Sequence, residues 1–111
     1  MATGYRVTVT AKEVKGRCPL YKVGTKIVFD RPVDGLIYIN TKESDNICIH
    51  ALSSMLTLII PFINGVDAKD LGMSDKEDIG YLRCPAPPPP YIPEESVVFE
   101  LRREKREYPE Y

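Results

Sequence analysis

The chain has 111 residues, the size of one domain, with 43% hydrophobic and 28% charged residues, which excludes a compositionally disordered protein. The 15 Lys+Arg against 16 Asp+Glu leave a net charge of -1, without the basic footprint of a nucleic-acid binder. The longest apolar run is too short and too interrupted to span a membrane.

Residues 5–12 alternate strictly. Tyr5, Val7, Val9 and Ala11 point one way and Arg6, Thr8, Thr10 and Lys12 the other, the pattern of a half-buried strand. Cys18-Pro19 and Tyr21-Lys22-Val23-Gly24 then read as an ordered turn. A second strand is expected over 26–30. Asp34-Gly35 signals a hairpin, and Leu36 to Ile39 form a third strand. Asp45 or Asn46 is placed to cap a helix starting near Ile47 and running to about Asn64-Gly65, bent or ended by Pro61.

No charged residue occurs from Ile47 to Val66. On helical spacing His50, Ser53, Ser54 and Thr57 share one arc, and apolar residues fill the remainder. Such a helix is expected either at the centre of the core or with its weakly polar stripe covered by a partner. Ser74-x-x-Glu77 fits a capping box for a single helical turn. Tyr81 to Pro85 reads as a short strand, and the prolines between 85 and 93 as a rigid connector. Residues 96–103 alternate, with Val97, Phe99 and Leu101 inward and Glu100 and Arg102 outward.

These elements describe a single compact α+β domain over residues 1–103: a small antiparallel sheet of four to five strands packed on one long apolar helix. The first and last strands are expected to pair at the sheet's centre. Residues 104–111 read as a charged C-terminal tail that frays.

Chemistry-bearing residues are few. Cys18, Cys48 and Cys84 come from three segments and offer thiolates for a zinc or iron–sulfur site, although the sequence has no Cys-x-x-Cys pair. Lys15 and Arg17 beside Cys18 would favour its thiolate. Cys48 and His50 lie about 200° apart on a helix that includes both, so Cys48 belongs with the apolar arc rather than with the histidine. His50, Ser53, Ser54 and Thr57 are candidate ligand or interface residues. A Ser–His hydrolase would need a carboxylate to orient His50, and none is local. The carboxylates of residues 67–78 lack the spacing of a calcium loop.

Several blocks carry a resemblance: Lys15-Gly16-Arg17-Cys18-Pro19, Tyr21-Lys22-Val23-Gly24, Ile47-Cys48-Ile49-His50-Ala51-Leu52, Cys84-Pro85 and Val97 to Arg103. Over residues 7–103 the chain resembles a family of small, functionally uncharacterised proteins common in anaerobic bacteria and archaea. That resemblance implies a compact single domain with three cysteine-bearing blocks, and no accepted activity. The proline run after Cys84 departs from the pattern.

The opening Met-Ala-Thr-Gly-Tyr-Arg lacks the build of a secretory signal, so a cytoplasmic location and reduced cysteines are expected. The function expected from sequence is a small binding or accessory domain that self-associates or takes a small protein partner, without nucleic acid or membrane. The alternative is a cysteine-based metal or thiol redox protein. Nothing in the motifs decides whether the chain is an enzyme.

Overall fold

The structure, a computed structural model, describes residues 2–16, 22–84 and 96–109. Five strands, β1 (Ala2–Lys15), β2 (Lys26–Val33), β3 (Leu36–Ile39), β4 (Ile79–Arg83) and β5 (Ser96–Tyr108), form one sheet in the order β3-β2-β1-β5-β4. Every neighbouring pair is antiparallel. One α-helix, α1 (Ile49–Ile63), and a 3-10 turn (Ala68–Leu71) complete an α+β fold. As the alternation of the two long segments indicated, β1 sits at the centre and pairs with β5 along almost its whole length.

Strand alternation sorts the side chains. Val7, Val9 and Ala11 of β1, Ile27 and Phe29 of β2, and Val97, Phe99 and Leu101 of β5 are buried. Against them α1 places Ala51, Met55, Ile59, Phe62 and Ile63, a single stripe at helical spacing. Removing the larger of these side chains, the valines, isoleucines, phenylalanines, leucine and methionine, from water contributes about 1.5–3 kcal/mol each. Gly80 of β4 admits a close layer above it: a Cβ there would lie 2.7 Å from Met73 Cβ. The absent side chain lets Met73 and Ala68 seal that end of the core.

Four expectations are corrected. The helix starts two residues late, at Ile49, with Cys48 at the N-cap position and no side-chain cap. Asp45, expected as a cap, instead accepts the Lys26 N–H at 2.9 Å. Ser44 accepts the Val28 N–H at 2.8 Å, so residues 44 and 45 occupy the edge of β2 beyond the reach of β3. Ser74 does not open a helical turn; its hydroxyl donates to Ile79 O and accepts from Lys76 N–H. Of the two placements the uncharged helix left open, a central one is not found: His50, Ser53, Ser54, Thr57 and Ile60 are exposed on its outer side. Finally, residues 104–108 do not fray. They continue β5, paired with β1 from Ala2 to Arg6.

Pro61 does not stop the helix, which ends three residues later at Asn64. There Gly65 N–H donates to Phe62 O and Val66 N–H to Pro61 O, the paired bonds of a Schellman ending. Gly65 takes φ of +108°, which a side chain would strain. The connector between β4 and β5 and the turn holding Cys18 lie outside the described residues.

Candidate functional site

Strand β3 ends the sheet on one side. Its alternation turns Ile37 and Ile39 toward the helix, half-buried against the core, while Leu36 and Tyr38 are each 40% exposed. Helix α1 does not close over this margin. Between them runs a groove of about 320 Å³, whose walls include Phe29, Ile37, Ile39, Leu52, Leu56 and Ile60. Ile60 stands on its rim, 46% exposed. The side chains that face the groove are apolar, so it suits apolar contact and offers no acid, base or nucleophile.

The polar stripe of α1 lies on the outward side. Ser53 Oγ donates to His50 O at 3.1 Å and Ser54 Oγ to Ala51 O at 2.8 Å. Both hydroxyls thus turn back onto the helix backbone. His50 and Thr57 are exposed beside them. The four residues share one face, as their spacing indicated.

Of the three cysteines, Cys48 and Cys84 are half-buried and pack against the hydrophobic core. Cys84 N–H donates to Val97 O at 2.9 Å, extending the β4–β5 ladder. Cys18 lies outside the described residues. Among the described residues, no group of three His, Cys, Asp or Glu side chains is placed to hold a metal ion.

The chain has no match among protein-family models, curated proteins or solved structures. The residues themselves therefore carry the functional reading.

Two ionic clusters are prominent, and neither was evident in the sequence. On the sheet face opposite α1, Asp30 is only 1% exposed. It accepts Arg6 Nε at 2.8 Å and Nη2 at 3.0 Å, Asn40 Nδ2 at 3.1 Å and the Tyr108 hydroxyl at 2.5 Å. Burial alone would raise the Asp30 carboxyl, but these donors outweigh it and hold the group below the usual carboxylate range. Arg6 also bonds Glu43 at 2.7 Å, which lowers that carboxyl in turn. Burial and the bond to Asp30 push the Tyr108 hydroxyl well above an ordinary phenol. Tyr108 thereby fastens the end of β5 across β1 to β2. Tyr108→Phe removes a hydrogen bond to a charged acceptor and is expected to cost about 1.5–2 kcal/mol in urea unfolding.

The second cluster surrounds Arg103, whose side chain is 4% exposed. Its Nη1 donates to Phe62 O at 2.7 Å and Val66 O at 2.8 Å. Nε donates to Asp78 at 2.9 Å and Nη2 to Asp67 at 3.2 Å. The guanidinium lies 4.7 Å from the Phe62 ring centroid and 5.4 Å from that of Tyr5. Helix α1 has no basic residue in its last turn, so β5 supplies the cation for its negative end. Every donor of this fork that is placed faces an acceptor of the fold, which makes the cluster a structural clamp rather than a ligand site.

Among the described residues, no helix is long and apolar enough to cross a membrane.

Proposed function

We propose that the chain is a small cytoplasmic binding domain that associates with a second copy of itself, and that the groove between β3 and α1 is part of the contact. The observation supporting this reading is the apolar groove, flanked by an edge strand and a helix face on which no charge is placed. Natural edge strands are normally guarded by charges, prolines or bulges against pairing with another chain. Leu36-Ile37-Tyr38-Ile39 carries no charge and no proline. Exposed apolar patches beside such an edge mark interaction surfaces. The polar residues His50, Ser53, Ser54 and Thr57 lie on the neighbouring helix face and suit the rim of an interface, where hydrogen-bonding groups meet water.

Kinship with the three-cysteine proteins of anaerobes rests on the cysteine-bearing blocks and belongs to this proposal, as does the alternative of a cysteine-held zinc or iron–sulfur centre.

Sedimentation velocity tests association. The chain is expected to sediment above its 12.6 kDa monomer mass at tens of micromolar. Ile60→Lys, which puts a charge on the groove rim, is expected to weaken association at least 10-fold while leaving the thermal transition nearly unchanged, because Ile60 is already 46% exposed. A strict monomer up to several hundred micromolar would sink the reading.

A further inference from the structure

We infer that two copies join by pairing β3 with β3 antiparallel across a two-fold axis at Tyr38, making one continuous ten-stranded sheet. This rests on the self-association reading above and specifies its geometry.

The hydrogen-bond phase of the edge carries the inference. Ile39 pairs with Phe29 and Tyr38 with Asp30, and Asn40 N–H donates to Val28 O at 2.8 Å. In an antiparallel ladder the bonding direction alternates along the strand. Residues 38 and 40 therefore turn their backbone groups toward β2, and Ile37 and Ile39 turn theirs to the outer side. Among the described residues no strand lies beyond β3. An antiparallel copy must then oppose outward residues to outward residues. Setting Ile37 opposite the partner's Ile39, and Ile39 opposite the partner's Ile37, satisfies all four N–H and C=O pairs. It also places Tyr38 opposite the partner's Tyr38 as the closely spaced, non-hydrogen-bonded pair. Directly opposed residues share a face, so both helices fall on the same side of the joined sheet. The isoleucine side chains of each copy then extend the apolar wall beside the other's groove.

Charge agrees with this register. The same alignment brings the Asp34 end of one strand to the Lys42 end of the other, twice by symmetry. Asp34 bonds Arg31 of its own chain, yet its side chain is 94% exposed and has room for a second cation. Lys42 is exposed as well. The intervening residues 35–39 carry no charge to oppose the approach.

Amide hydrogen exchange by NMR at a series of protein concentrations tests the pairing without any substitution. Exchange at Ile37 and Ile39 is expected to slow as concentration rises, while Tyr38 and Asn40, bonded within the monomer, stay unchanged. Charge reversal gives the second readout: Asp34→Lys alone weakens the dimer about 10-fold, and adding Lys42→Asp restores it, with the circular dichroism melt reporting that each variant folds. A dimer whose Ile37 and Ile39 amides exchange independently of concentration overturns the pairing and leaves self-association standing. A strict monomer overturns both.

Discussion

Arg103→Leu is expected to lower the unfolding free energy by about 3 kcal/mol or more, the largest effect of any single replacement considered. Leucine fills part of the volume but has no donors. The carbonyls of Phe62 and Val66 lose their shared partner, and Phe62 O lies in a buried setting where water does not replace it. Asp67 and Asp78 are partly exposed and recover hydration, which keeps the cost below that of a fully buried pair. The melting temperature should fall by roughly 12 °C. Arg103→Lys keeps the charge but not the fork, and should recover less than half of the loss. Urea unfolding of the three proteins checks this; a loss below about 1 kcal/mol for leucine would show that the clamp is not structural.

The second large effect belongs to Asp30. Asp30→Asn keeps the shape and is expected to cost about 2 kcal/mol near neutral pH, since Arg6 and Tyr108 both lose a charged acceptor inside the fold. Its pH dependence follows from the depressed carboxyl. A group whose folded-state value is lowered contributes stability that is fully present above its unfolded value, about 3.9 for aspartate, and lost as pH falls through the folded value. The stability difference between the wild-type chain and Asp30→Asn is therefore constant above about pH 5 and narrows below about pH 4. Glu43 and Glu100 are also held low, by Arg6 and Arg102 respectively, and destabilise both proteins in acid. The difference between the two titrations isolates Asp30, and a difference that stays constant down to pH 2.5 would refute the assignment.

Much of the architecture was legible because it rests on short-range pattern. The alternation of residues 5–12 and 96–103, the Asp34-Gly35 hairpin and the bounds of β3 all follow from periodicity and turn chemistry. The C-terminal end of β5 was not legible. Residues 104–107 are charged on both faces because they run past the helix, and only the backbone ladder to β1 and the Tyr108 anchor keep them extended. The ionic clusters were hidden for a related reason. Asp30 reads only as the last residue of the strand expected over 26–30, and its burial depends on Arg6, Asn40 and Tyr108 arriving from three other segments. Arg103 ends the alternating run of residues 96–103, and that pattern does not show that it closes a helix 41 positions earlier in the chain. The groove was foreshadowed by the missing charge on α1, but its position against β3 required the sheet order. Spacing does not reveal which segments converge, so the three cysteines could not be assigned to one site from the sequence.

The pairing of the first strand with the last also sets the order of assembly. As the chain emerges from the ribosome, β1, β2 and β3 can form a meander from local contacts. The other side of β1 must wait for β5, with Lys15 meeting Ser96 and Ala2 meeting Tyr108. Until then β1, which carries the buried Val7, Val9 and Ala11, has one open margin, and α1 has only part of its platform. Folding of such non-local topologies is slow and exposes edges while it proceeds. The growing chain therefore passes through an interval in which this margin of β1 is open to pairing with another chain.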